Sequence, residues 1–216
     1  MVAGEPSDLE LLDAWSAGSQ SSGDALARRH YARIHRFFEM KAPHMADDLT
    51  QRTFLGCVEH RARWRRESSF RAYLFGIARK QLLRYLESPR RLDAMRNFDE
   101  VSGGIASPSS IVARRDEQRM LLLALDALPV DLQIAVQLFY WEALNTTEIG
   151  EVLGISVSAV TTRLSRARRR IREHVVEMNR PSATRDLLVA DIDTWTRSLV
   201  EHGPKLRVPP IRPPQT

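Results

Sequence analysis

A glycine at position 154 divides two stretches whose apolar residues recur at three- and four-residue spacings, and this break constrains the fold of the 216-residue chain more tightly than anything else in it. Asn145 followed three residues later by Glu148 predicts a capping box, opening a short helix that turns Ile149, Val152 and Leu153 inward. Gly154 ends that helix, because glycine takes the left-handed turn without a steric penalty. Ser156 is placed to cap the next helix, whose expected buried stripe is Val157, Val160, Leu164, Ala167 and Ile171. This is helix-turn-helix spacing. Ser158, Ala159, Thr161, Thr162, Arg163, Ser165 and Arg166 are then left on the outside of the second helix. Small residues let a helix enter a major groove, and arginine pairs bidentately with guanine. Arg168, Arg169, Arg170 and Arg172 follow, placed to grip phosphate. An arginine run alone is equally a solvated basic face. Joined to the capped helix, the glycine turn and the small outward residues, it points to DNA.

Charge is distributed to match. The net charge is +5, yet residues 25–90 carry +9 and 152–180 carry +5, against −5 for residues 1–24 and −6 for 116–151. Arginine makes up 29 of the 32 basic residues, which suits phosphate and base edges better than lysine does. Two basic blocks held apart by acidic ones predict two faces offered to a polyanion. Alternating β-branched runs are nearly absent, so the expected class is all-α. VSGGIASPSS, residues 101–110, cannot sustain a helix and reads as linker. The expected organisation is an acidic segment over 1–24, a basic helical domain over 25–90, a flexible linker over 91–114, the helix-turn-helix domain over 115–178, and an extension over 179–216. In the extension, a helix over 183–200 precedes a proline-rich tail.

In the first domain, Leu49, Phe54, Leu55 and Val58 predict one apolar helix side, with Asp47 and Asp48 at its N-terminal end, where the helix dipole favours carboxylates. A second helix from about Ser69 to Leu86 is expected to bury Leu74, Ile77, Ala78 and Leu82, with Arg71, Arg79, Lys80 and Arg84 around it. Between them lie Arg61, Arg63, Trp64, Arg65 and Arg66. Cations beside an aromatic face are the chemistry of single-strand binding. For Trp64, Phe70, Tyr73 and Phe75, core packing is the competing reading and the preferred one for most of them, leaving one or two to touch DNA.

At this point the chain resembles the bacterial sigma-70 family, particularly its small extracytoplasmic-function (ECF) group. Leu128-Pro129, Glu148-Ile149, Leu153-Gly154-Ile155 and Val160 through Arg168 are similar to the C-terminal sigma-4 domain. Asp47-Asp48-Leu49, Gln51, Phe54, Ser69-Phe70-Arg71, Tyr73-Leu74 and Ile77-Ala78-Arg79 are similar to the sigma-2 domain. The resemblance implies a promoter-specificity subunit. Its second helix-turn-helix helix, with Ser158, Ala159, Thr161, Thr162, Arg163, Ser165, Arg166, Arg169 and Arg170, reads the −35 element, and this domain also touches the β flap of RNA polymerase. Arg61, Arg63, Trp64, Arg65, Arg66, Phe70, Arg71, Arg79, Lys80 and Arg84 hold the −10 element and assist strand separation. Asp47, Asp48, Leu49, Gln51, Arg52 and Phe54 dock on the β′ clamp helices of the polymerase core. An anti-sigma factor is a further partner the resemblance admits. The sequence departs from the family pattern at Arg52, where an acid is usual, at Lys80, where asparagine is frequent, and at Arg84 with Glu87, which reverse the common order.

No catalytic constellation is legible, and neither an enzyme activity, a cofactor nor a metal is expected. His44, Cys57 and His60 lack a second well-spaced pair of ligands. The longest apolar run is the five residues from Leu121 to Leu125, far below the roughly 18 needed for a membrane span, and no signal peptide is legible, so a cytoplasmic protein is expected. Two other function classes remain for comparison. An operator-binding regulator needs no first-domain clamp motif, and a DNA-processing enzyme needs clustered metal-binding carboxylates.

Overall fold

The computed structural model describes residues 5–60, 64, 68–88 and 121–177, and every regular element among them is helical. The expected linker over 91–114, the arginines at 61, 63, 65 and 66, and the expected helix and tail beyond 179 lie outside the described residues.

The acidic N-terminal stretch holds a helix, α1 (Asp8–Ser16), that begins on a reciprocal cap. The Glu10 amide donates to Ser7 Oγ at 3.3 Å, and the Ser7 amide donates to the Glu10 carboxylate at 2.7 Å. Leu11 and Leu12 are buried against α2 (Gln20–Glu39). Asp8 fixes the pairing, 2.8 Å from both Arg29 Nη1 and His30 Nε2. Burial holds the His30 imidazole below its ordinary pKa even though Asp8 pulls the other way.

Helix α2 puts Leu26, Ile34, Phe37 and Phe38 into the centre of the bundle. A 3₁₀ turn, Pro43–Met45, leads to α3 (Ala46–His60), and α4 (Phe70–Glu87) starts on Ser69, whose Oγ accepts from the Ala72 amide at 3.2 Å. The apolar side expected for α3 is corrected here. Leu49 is buried and Phe54 half-buried, but Leu55 is 60% and Val58 43% exposed. The inward face is instead Ala46, Leu49, Thr50, Thr53, Gly56 and Cys57. Small residues face inward because α4 lies close: a Cβ on Gly56 would sit 3.2 Å from Ile77 Cγ2. Thr50 and Thr53 enter this face by donating their hydroxyls to the carbonyls of Ala46 and Leu49 at 2.6 and 2.8 Å. In α4, Leu74, Ala78 and Leu82 are buried as expected, joined by Phe70, Ala72, Phe75 and Tyr85, while Ile77 is half-buried.

The C-terminal part comprises helical residues 121–126, α5 (Val130–Val136) running into a π turn (Gln137–Trp141), α6 (Thr146–Leu153) and α7 (Val157–Glu177). Val160, Leu164, Ala167, Ile171 and Val175 form the buried stripe of α7. Val157, expected in that stripe, is 45% exposed, because the first residue of the helix precedes the turn that touches the core.

The two parts pack together. One core joins Phe70, Leu74 and Phe75 of the N-terminal bundle to Ile149, Val152, Leu153, Val160 and Leu164, with α4 lying along α6. Lys41 is half-buried as a residue, but its ammonium points inward, 4.5 Å from the centre of the Phe37 ring, and donates to Gln137 Oε1. Burial brings it down to about 7, despite the nearby Asp126 and Glu142 carboxylates. Folding therefore releases a proton between that value and the ordinary 10.5. In this window the unfolded chain binds more protons, so Lys41 makes stability rise with pH by at most about 1.4 kcal/mol per unit and loses that gain as pH falls through about 7. Urea midpoints for the natural chain and for Lys41→Met, taken across that window, are expected to diverge, with the flatter dependence in the variant. Parallel curves would place the ammonium in water.

Candidate nucleic-acid interface

The helix-turn-helix is built as its sequence predicts. Asn145 Oδ1 accepts from the amides of Thr147 and Glu148 at 3.0 and 2.9 Å, and the Glu148 carboxylate accepts from the Asn145 amide at 2.9 Å. Gly154 sits at φ 67°, ψ 40°, the left-handed conformation. Ser156 Oγ then accepts from the Ala159 amide at 3.3 Å to open α7. The turn is closed by the Ile155 amide donating to the Gly150 carbonyl at 3.0 Å. Gly150 itself allows a close approach: a Cβ there would stand 2.8 Å from the Ile155 carbonyl oxygen.

With the stripe of α7 sealed, Ser158, Thr161, Thr162, Ser165 and Arg166 are exposed and Ala159 and Arg163 half-buried. The hydroxyls of Thr161 and Thr162 donate to carbonyls one turn back, leaving their methyls and oxygens on the surface. Arg163 Nε lies 3.7 Å from Asp131 Oδ2 on α5. Arg169 and Arg170 are exposed further along, Arg169 within 3.6 Å of Glu173. Arg168, grouped with the phosphate-gripping arginines from sequence, is turned inward: its Nε donates to the Tyr140 hydroxyl at 2.8 Å, and its guanidinium lies over the rings of Phe139 and Tyr140. Its periodicity places it beside Ala167 and Leu164, where an aromatic neighbour from the π turn was not visible in the sequence.

In the N-terminal bundle, Phe70 and Phe75 are buried, Phe70 at 3% exposure. Trp64 and Tyr73 are half-buried and stacked, with ring centroids 5.2 Å apart at 22°. Burial pushes the Tyr73 hydroxyl up to about 12. Arg71 and Arg79 are half-buried on α4, Lys80 and Arg84 exposed. Burial lowers the Arg79 guanidinium from its usual value, and the positive charge of Arg163 on α7 lowers it further. Of the residues considered for the −10 element, these and Trp64 are described, and the loop arginines are not.

On α3, Asp47, Gln51 and Arg52 are exposed, Asp48 and Phe54 half-buried, and Leu49 only 1% exposed. Arg52 Nη2 lies 2.8 Å from Asp48 Oδ2, one turn away, so the unexpected base at 52 partly neutralises the acid at 48. Asp47 accepts from His35 Nε2 at 3.0 Å, and the Tyr31 ring stacks between His35 and Phe54. Leu55 and Val58 share the outward side, an apolar exposure that sequence periodicity had assigned to the core.

The residues considered for metal binding find other partners: His44 Nε2 is 2.6 Å from the Tyr85 hydroxyl, the His60 ring donates to the Gly56 carbonyl, and Cys57 is buried. Among the described residues no group of three potential ligands lies together, and no helix is long and apolar enough to cross a membrane.

Comparison with known proteins agrees with this arrangement. The "Sigma-70 region 2" family model matches residues 24–92 and the "Sigma-70, region 4" model residues 118–171, together more than half of the chain. The ECF RNA polymerase sigma factor SigE of Mycolicibacterium smegmatis is 28% identical over 190 residues, covering 83% of this chain and 72% of that protein. RNA polymerase sigma factor CarQ of Myxococcus xanthus is 29% identical over 172 residues, covering 77% and 97%. The fold is similar to that of CnrH in complex with the cytosolic domain of CnrY, with a TM-score of 0.56, 22% identity and coverage of 80% and 99%. It is also similar to that of the sigma factor RpoE in complex with the anti-sigma factor NepR from Bartonella quintana, with a TM-score of 0.55, 20% identity and coverage of 73% and 98%. With two matched regions, an all-helical fold and a capped helix-turn-helix in the expected place, the chain belongs to the sigma-70 family and is an RNA polymerase sigma factor of the ECF group.

Proposed function

We propose that this sigma factor reads the −35 element with the N-terminal half of α7 and grips and opens the −10 element with α4 and the arginine-rich loop before it. The outward side of α3 then docks on the β′ clamp helices. The observation that carries the reading is the outward face of α7, where a left-handed Gly154 and two capped helices project Ser158, Thr161, Thr162, Ser165 and Arg166 into solvent. Arg166 is the favoured base reader, because Arg163 is drawn towards Asp131. Arg169 and Arg170 follow the backbone. Trp64 stacked on Tyr73 offers an aromatic platform for an unpaired base beside the arginines. Leu55 and Val58 add apolar contact to Asp47, Asp48, Gln51, Arg52 and Phe54 on the polymerase-facing side. Leu49 supports that side from below. One module over residues 25–90 and another over 115–178 then divide the work. The fold neighbours were solved with CnrY and with the anti-sigma factor NepR, and a similar restraining partner fits this chain.

Run-off transcription tests the reading. The full chain added to core polymerase is expected to initiate at discrete promoters. Operator binding without initiation would favour an ordinary helix-turn-helix regulator. Arg166→Ala is expected to weaken −35 recognition by about 1–3 kcal/mol and to relax preference at one base pair. If affinity falls equally for all sequences and the salt dependence becomes shallower, Arg166 contacts phosphate instead.

A further inference from the structure

A cleft of about 270 Å³ opens in the N-terminal bundle between the α1–α2 corner, α3 and the start of α4. Its apolar walls are Trp15, Leu26, Phe54, Val58 and Phe70. Trp15 is a fixed wall: its indole lies against α2, where a Cβ on Gly23 would stand 2.6 Å from Nε1. Asp24 lines the same cleft, exposed and without an ion pair among the described residues. The volume is below the roughly 300–1,000 Å³ of sites that enclose a whole small ligand, so the cleft suits a few side chains of a longer segment. Aromatic walls beside an unmatched carboxylate are the chemistry that recognises a proline-rich, basic peptide. Ring faces take the prolines, and the acid takes a cation.

The chain carries such a segment. Residues 205–214, KLRVPPIRPP, hold four prolines among Lys205, Arg207 and Arg212, with no acid. They lie outside the described residues, and their composition predicts a polyproline II conformation, which lowers the ordering cost of binding. Between Glu177, the last described residue, and Lys205 stand 27 residues. The expected helix over 183–200 and the residues flanking it reach about 55 Å, against a radius of gyration of about 14 Å for a globule the size of the described part. We propose that residues 205–214 dock in the Trp15–Asp24 cleft of the same chain, with prolines against Trp15 and Phe54 and Arg212 on Asp24. Arg212 takes this role because it alone sits between the two proline pairs. Tethering makes the contact intramolecular, at an effective concentration on the order of a millimolar, so modest contacts hold it. Phe54 and Val58 also belong to the side of α3 assigned to polymerase, and a docked segment therefore restrains core binding. That consequence rests on the proposed docking to the β′ clamp helices.

The test uses the full chain with Ile211→p-benzoylphenylalanine, photocrosslinked in dilute solution and mapped by mass spectrometry. An intramolecular crosslink to Trp15, Phe54 or Val58 is expected. Asp24→Arg, at an exposed position, is expected to cut its yield about two- to fivefold, Arg212→Glu to do the same, and the two together to restore it. Pro209→Gly, Pro210→Gly, Pro213→Gly and Pro214→Gly together are expected to lower the yield about tenfold and, without the photoprobe, to tighten core polymerase binding several-fold. Crosslinks confined to other surfaces or to other molecules, or a yield indifferent to the charge variants, overturn the docking. If the segment crosslinks in the cleft yet the glycine variant binds core polymerase no tighter, the docking stands and the placement of the clamp contact on this side of α3 fails.

Discussion

Phe37→Ala is expected to lower stability by about 3–5 kcal/mol, enough to leave much of the chain unfolded near body temperature and to abolish promoter-dependent transcription. Phe37 has no solvent exposure and lies at the centre of the N-terminal bundle. Its ring meets Phe38 and Phe75 nearly edge-on, with centroids 5.3 and 5.6 Å away, and supports the Lys41 ammonium at 4.5 Å. Removing it opens a cavity among rigid aromatic neighbours and withdraws the aromatic face beneath a cation already short of water. Because Lys41 also reaches Gln137, the loss spreads across the seam to the C-terminal part. Phe54→Ala, at a half-buried position on α3, serves as the comparison and is expected to cost less than half as much in a urea melt. Equal midpoints for the two variants would show that the bundle centre is not where the structure places it.

The contrast between these phenylalanines illustrates what could be read before the fold was known. Capping chemistry is local, so Asn145 with Glu148, Gly154 and Ser156 were all legible: each acts within a few residues of itself. The buried stripe of α7 followed from apolar periodicity, wrong at Val157, and the outward set was wrong at Arg168, which turns onto Tyr140. Helix α3 misled because hydrophobicity and burial diverge there. Its inward face is made of threonine, glycine, alanine and cysteine because α4 packs closely against it, and leucine and valine were left outside. Periodicity counts apolar residues and cannot know that a neighbouring backbone needs room. Glu142 was invisible for a different reason. A glutamate after an aromatic run carries no sign that a π turn and a positive-φ alanine will carry it into a seam opposite residues more than a hundred positions earlier. Helix α1 was legible in principle, since Ser7 and Glu10 have capping-box spacing, but the net acidity of the segment drew the reading towards charge.

Gly150→Val is expected to reduce −35 recognition by holoenzyme at least about tenfold while costing about 1–3 kcal/mol of stability, and the neighbouring Gly154→Ala separates the causes. The two glycines lie four residues apart and are needed for different reasons. At Gly150 a Cβ would press within 2.8 Å of the Ile155 carbonyl oxygen, a backbone atom that cannot rotate away. That same turn is tied by the Ile155 amide to the Gly150 carbonyl, so relief comes only by moving α7 relative to α6. A shift of that kind tilts Ser158, Thr162 and Arg166 against the groove, so recognition falls even in the fraction of chains that remains folded. At Gly154 an added Cβ would meet no neighbour within 4 Å among the described residues, and the obstacle is the φ of +67° alone. Gly154→Ala therefore costs about 1–2 kcal/mol through left-handed strain, leaves the two helices in register, and keeps −35 sequence preference intact. Thermal melts paired with binding to promoter fragments resolve the two axes. If Gly150→Val retains −35 affinity within about twofold, the spacing between α6 and α7 does not set recognition, and the reading surface must lie elsewhere on the chain.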